Sequence, residues 1–219
     1  MAEIEIPIFP LPDLVFFPGT LLPLHVFEPR YRRMVADCLV GDRRLAVVML
    51  RPGWEADYHG RPPVHEVAGA GEIVEHEPLP DGRSNILLNG VARVRIAGEL
   101  PAARPYRIVR AELLEDRYPP GGAEVLAERL DTLRAAYLRL LEGLGQTHPA
   151  RLGGLEGAPP AAVVDRIASA ALPDATLRQQ VLETADVAAR LELVASALLD
   201  LSLLVSRPEP PHHLRHRDN

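Results

Sequence analysis

The chain has 219 residues, 47% of them hydrophobic, and a formal net charge of −6, so it can build a real core but lacks the bulk positive charge on which non-specific nucleic-acid affinity rests. All 24 basic residues are arginine. Without lysine there is no Walker A phosphate contact, no Ser-Lys peptidase dyad and no Schiff-base nucleophile.

Short strands and proline turns come first. Prolines 7, 10, 12, 18, 23 and 29 punctuate PIFPLPDLVFFPGTLLPLHVFEPRYRRM, which forbids a long helix and suits edge strands, kinks and turns. Strands are predicted over Ile4–Phe9 and Leu21–Val26. Pro29 then opens a helix running to about Val40, with Tyr31, Met34, Val35 and Cys38 on one face and Gly41 as its stop. Further strands are predicted over Leu45–Leu50, Val67–Glu75, Asn85–Leu88, Val91–Ala97 and Tyr106–Glu115. Asn89-Gly90 between two apolar runs reads as a type I′ hairpin turn. The expected product is a small, partly closed barrel.

From Gly121 the period changes. Leu126, Leu130, Leu133, Tyr137, Leu140 and Leu144 form one helical stripe. A Gly/Pro-rich loop follows over Gly143–Pro160. Val163, Val164, Ile167 and Ala171 mark a short helix ending before Pro173. Asp174 caps a third helix, and Thr184 is expected to cap a fourth. The fourth carries Val187, Leu191, Val194, Leu198, Leu201 and Val205. Leu193, Leu199, Leu203 and Leu204 widen its apolar surface, so burial on several sides is expected. The polar, Pro-rich tail from Arg207 is expected to be mobile.

No constellation in the chain spells catalysis. Histidines 25, 59, 65, 76, 148, 212, 213 and 216 show no metal-ligand spacing with cysteine, and the His212, His213 and His216 group reads as a solvated tail, so no metal or cofactor is expected. Serines 84, 169, 196, 202 and 206 lack a G-x-S-x-G elbow. Cys38, the single cysteine, lies on the apolar side of its helix and reads as a structural thiol. Glu75-His76-Glu77 reads as a strand end entering a turn. The start MAEIEIPIF lacks a basic region before an apolar run, no stretch is long enough to span a membrane, and a cytoplasmic location is the expectation.

The order of residues in the proline-punctuated segment through Phe27-Glu28-Pro29-Arg30-Tyr31 resembles the N-terminal substrate-binding domain of Lon proteases, which recurs in cereblon and in small stand-alone bacterial proteins. Gly69-Ala70-Gly71-Glu72-Ile73, Asp81-Gly82-Arg83 and Leu88-Asn89-Gly90-Val91-Ala92-Arg93 continue the likeness, and Asp174–Leu193 resembles the helical half of that region. The resemblance implies an α+β chain: an antiparallel PUA-like β pseudo-barrel with one inserted helix over 1–117, a helical bundle over 118–206 and a tail over 207–219. It implies a non-catalytic domain that binds unfolded or exposed protein segments, as an adaptor or holdase and alongside a protease partner. RNA binding through Arg93, Arg95, Arg104, Arg107 and Arg110, as in other PUA-like barrels, is the first alternative, and small-ligand sensing the second.

Two places are candidates for contact. Trp54 and Tyr58 stand in the loop Arg51–Glu66, which is long enough to suggest a task. Folding of Trp54 over the barrel end is the equal alternative. Phe27, Arg30 and Tyr31 stand at the helix entry, with two readings. As contact residues they would line a peptide groove. As structural residues, Glu28 and Pro29 start the helix and Arg30 pairs with a sheet carboxylate.

Overall fold

The computed structural model describes residues 3–146, 155 and 157–205. Six strands, β1 (Glu3–Leu11), β2 (Leu21–Val26), β3 (Arg44–Met49), β4 (Val67–Pro78), β5 (Ser84–Glu99) and β6 (Ile108–Leu113), precede four of the five α-helices. Helix α1 (Pro29–Val40) lies between β2 and β3; α2 (Ala127–Gly143), α3 (Pro160–Ala171), α4 (Ala175–Glu183) and α5 (Val187–Val205) follow the sheet. The sheet runs in the order β2-β5-β4-β3-β1-β6 and closes on itself through a further pairing of β5 with β6.

The sheet is not all antiparallel, as the sequence suggested. β1 and β3 pair in parallel, Ile8 opposite Ala46 through Leu11 opposite Met49. The crossover through β2 and α1 supplies the length that a parallel connection needs. β1 is also no edge strand, despite Pro7 and Pro10. Its first half pairs only with β6 and its second half only with β3. Each half thus leaves one flank unpaired, and there a missing proline N–H costs no ladder bond.

The predicted turn at Asn89-Gly90 is absent. The two expected strands there are one, β5, and the hairpin turn lies at Leu79–Arg83, where Gly82 takes φ +78° and its N–H donates to the Leu79 carbonyl at 3.0 Å. Gly90 instead sits beside a bulge: Ala92 pairs with Ala70 and Gly90 with Gly71, leaving Val91 extra. The glycine serves close approach. A Cβ on Gly90 would overlap the carbonyl oxygen of Phe17, and one on Gly69 that of Phe16. Segment 16–20 therefore lies directly on the sheet backbone, with Gly19 N–H donating to Gly90 and Gly90 N–H to Thr20, both at 2.9 Å. β4 also runs three residues beyond its predicted end, to Pro78. Asn85 on the partner strand donates to the Glu77 carboxylate at 2.8 Å.

Two apolar clusters serve the strands. One packs α1, through Tyr31, Met34, Val35 and Cys38, against Phe9, Leu45, Val47, Ile73 and Leu88. The other joins Ile6, Ile8, Ala46, Val48, Val94 and Val109. The largest cluster belongs to α2–α5 but includes Val15, Phe17, Met49 and Val67. The helices therefore share a core with the sheet.

A buried charge network fastens that junction. Arg93 of β5 donates to the Leu182 carbonyl at 3.1 Å and pairs with Asp165 of α3. Arg190 of α5 reaches the same Asp165 oxygen at 2.8 Å and also pairs with Asp116. Burial pushes the Asp165 carboxyl up, while the two guanidiniums pull it down.

Helix ends follow local chemistry. Asp174 caps α4, its carboxylate accepting from Leu177 N–H at 2.6 Å. The cap of α5 is Asp186, which accepts from Ala189 N–H at 3.0 Å. Thr184, the expected cap, closes α4 instead, its hydroxyl donating to the Gln180 carbonyl at 2.7 Å. The distal face of α5 is not buried as expected: Leu199, Leu203 and Leu204 are more than half exposed. The predicted tail with His212, His213 and His216 lies outside the described residues.

Candidate functional site

A cavity of about 210 Å³ opens between the start of α1, the segment after β3 and the β5–β6 connection. Its wall carries four arginines (Arg30, Arg61, Arg104, Arg107) and three tyrosines (Tyr31, Tyr58, Tyr106), completed by Pro10, Leu50 and Pro62 among other residues.

The start of α1 sets one side. Glu28 is the N-cap residue, but its carboxylate does not cap the helix. It accepts instead from Arg30 Nε at 3.0 Å and from the Tyr58 hydroxyl at 2.8 Å. Arg30 is thus paired with its own helix entry and not with a sheet carboxylate. Its other arm donates to the Tyr58 carbonyl at 3.2 Å, and its guanidinium lies 4.7 Å from the Tyr31 ring centre and 5.2 Å from that of Tyr58. Tyr31 packs on Phe9 with ring centres 4.2 Å apart, and burial pushes its phenol up to about 12.

The segment after β3 is ordered by its own turns. Gly53, at φ +89°, leads into a single 3₁₀ turn over Trp54–Asp57. Asp57 then accepts from Arg61 N–H at 3.0 Å, and Arg51 N–H donates to the Pro63 carbonyl at 2.9 Å, which ties the two ends of the segment together. Trp54 packs edge-on against Tyr58, ring centres 5.5 Å apart, so it buttresses a wall residue while remaining only partly buried.

The β5–β6 connection completes the cavity. Arg107 donates from Nε and Nη2 to Glu99 at 2.7 and 3.2 Å, and from Nη1 to the Pro62 carbonyl at 2.7 Å. The Tyr106 hydroxyl donates to Asp37 of α1 at 2.7 Å, and Arg104 pairs with the same carboxylate. Burial and that bond push the Tyr106 phenol up to about 12. The bond from Tyr106, joined by Arg33 and Arg104, holds the Asp37 carboxyl below its ordinary range.

Of the five residues singled out in the sequence, the fold brings Arg30, Tyr31 and Tyr58 into one wall and sets Trp54 behind it. Phe27 is not among the lining residues; it is 58% exposed and its ring lies beside His25. Sequence reading missed Arg61, Tyr106 and the shared cavity of Arg104 and Arg107. Arg104-Pro105-Tyr106-Arg107 repeats the composition of the helix entry, Pro29-Arg30-Tyr31, and was the available signal.

Other candidates have ordinary roles. Cys38 is buried, its thiol donates to the Arg44 carbonyl at 3.3 Å, and burial pushes it up to about 12. Glu75, His76 and Glu77 are exposed on β4. Among the described residues no group of three acidic, histidine or cysteine side chains is placed to hold a metal ion, and no helix is long and apolar enough to cross a membrane.

This arrangement of sheet and helices is the fold of Lon N-terminal domains. The structure aligns with the N-terminal domain of a Mycobacterium avium complex Lon protease at TM-score 0.66, with 16% identity over 91% of this chain and 98% of the other. It aligns with a Lon N-terminal domain protein from Xanthomonas campestris at TM-score 0.61, with 22% identity over 94% and 99%. A family model, the substrate-binding domain of the ATP-dependent protease La (Lon), matches residues 5–200, and the chain belongs to that family. Among curated relatives, Lon protease 2 of Myxococcus xanthus is 29% identical over 88% of this chain and 23% of its own length, and Lon protease 2 of Herpetosiphon aurantiacus is 27% identical over 99% and 26%. The chain thus spans about a quarter of the length of these relatives.

Proposed function

We propose that this chain recognises exposed segments of other proteins, as an adaptor or holdase in the cytoplasm, and performs no chemistry itself. The sheet would then be a PUA-like barrel used as a rigid platform, with the helical part, beginning near residue 118, as its companion. A protease is the natural recipient of such clients, as the names of the relatives suggest.

The observation that carries this reading is the cavity wall. Arginine and tyrosine dominate binding hot spots because each offers wide contact area together with a polar end. Here they converge on elements held by the sheet, where little order remains to be gained on binding. Trp54 extends the aromatic surface from the wall toward solvent.

RNA binding is not favoured. Arg93 is buried on Asp165, and Arg107 spends its Nε, Nη1 and Nη2 on Glu99 and the Pro62 carbonyl. With Arg93 withdrawn from solvent and Arg107 largely engaged, not all five arginines of that hypothesis reach the surface as free cations.

The test is binding of a permanently unfolded client, such as reduced and carboxymethylated α-lactalbumin. Trp54→Ala combined with Tyr58→Ala should weaken it about tenfold or more, the loss expected for two aromatic contacts. Equal binding by mutant and parent, both folded by circular dichroism, would place recognition elsewhere.

A further inference from the structure

We propose that the cavity receives the C-terminal residue of a client chain, its apolar side chain against the proline and tyrosine faces and its α-carboxylate on Arg61 and Arg104. The proposal rests on the reading that this chain binds protein segments, and it names which part of a segment enters the site.

Charge points to an anion. None of the residues lining the cavity is acidic, whereas four are arginine, in a chain whose net charge is −6. The carboxylates that partner these arginines, Glu28, Glu99 and Asp37, stand outside the lining. Each takes its guanidinium from behind and fixes it without occupying the cavity.

The four arginines divide into two kinds. Arg30 and Arg107 have side chains 19% and 13% exposed and spend their donors on Glu28, Glu99 and the carbonyls of Tyr58 and Pro62. They build the wall. Arg61 and Arg104 are 41% and 48% exposed. Arg61 reaches Glu99 only at 3.5 Å, and Arg104 pairs through Nη1 with Asp37 while its guanidinium lies 5.9 Å from the Tyr106 ring centre. Both guanidiniums line the cavity while remaining substantially exposed, and their planar fork of donors suits a carboxylate.

Size and polarity narrow the ligand further. A volume of about 210 Å³ falls below the roughly 300–1,000 Å³ of sites for drug-sized molecules, and suits a single residue. Pro10, Leu50, Pro62 and the tyrosine rings offer apolar surface beside the guanidiniums. The ligand must therefore carry an apolar body and an anion on the same unit. Among unmodified residues of a polypeptide an apolar terminal residue does so best, since aspartate and glutamate bear their charge on a short stem. A free small acid with an apolar body has the same chemistry, so the test must separate the two sources.

The experiment uses the full chain and a short, otherwise uncharged peptide, labelled at its N-terminus and ending in leucine, as the free acid and as the C-terminal amide. Fluorescence anisotropy should show the acid binding about tenfold or more tighter, the worth of a charge-assisted pair. Arg61→Gln with Arg104→Gln should abolish that difference in a protein that circular dichroism shows to be folded; both side chains are exposed enough to be replaced without unfolding. Equal affinity for acid and amide overturns the proposal and leaves segment recognition standing. If neither peptide binds, the proposal is overturned, and the unfolded client, measured alongside, shows whether segment recognition falls with it. N-acetyl-leucine binding as tightly as the peptide acid would overturn the chain terminus in favour of a free acid.

Discussion

Gly90 shows how one residue can be recognised as special for the wrong reason. Asn-Gly between apolar runs is a sound hairpin signal, because a type I′ turn needs two residues at positive φ. Here the constraint is steric contact across the sheet, with the Phe17 carbonyl lying where a Cβ would stand. That approach involves residues more than seventy apart, so no local pattern contains it. Gly90→Ala should cost about 2 kcal/mol, in the range of overpacked cores, as measured by urea unfolding. A free energy unchanged within error would mean that segment 16–20 moves aside freely. Asp37 belongs to the same scale. Its carboxyl is held low in the folded state by Tyr106, Arg33 and Arg104. A lowered folded pKa stabilises above the unfolded value of about 3.9 and is lost as pH falls through the folded value. Asp37→Asn should therefore flatten the fall in melting temperature between about pH 5 and pH 3. An acid limb identical to the parent's would show that Asp37 is not coupled to folding.

Elements were legible where their signals are local. The start of α1 at Pro29, the stripes of α2 and α5 and the Asp174 cap all appear where periodicity and capping chemistry put them. What the sequence misjudged were partners. One strand was read as two, a parallel pair as antiparallel, and the distal face of α5 as buried. Each depends on which neighbour an element finds, and hydropathy does not name the neighbour. The charge network between β5, α3 and α5 is the clearest case. Arg93 was a candidate for surface contact with RNA, yet it is 3% exposed because helices bring Asp165 and the Leu182 carbonyl onto it. Asp165→Ala would strand two buried guanidiniums, which is expected to cost about 3–5 kcal/mol. Chemical denaturation checks this, and a loss below about 1 kcal/mol would indicate that Asp116 alone can hold both arginines.

At the scale of the whole molecule, the lack of lysine governs what the chain can do. Purified protein is expected to show neither ATPase activity nor casein cleavage, because the phosphate-contacting lysine and the Ser-Lys dyad have no residue to form them. ATP-dependent casein cleavage by rigorously purified protein would refute this. Residue types, helical periods and the ordered blocks shared with Lon substrate-binding domains are properties of the chain alone, and they determined the family and the α+β class. The cavity belongs to the tertiary structure. Arg30, Arg61 and Arg104 come from three segments that are remote in sequence, and only the closure of β5 onto β6, with α1 laid against the sheet, brings them within one residue's reach. Side chains that look like scattered surface charge along the chain come to share one cavity wall, each with a carboxylate beside it whose position only the fold decides.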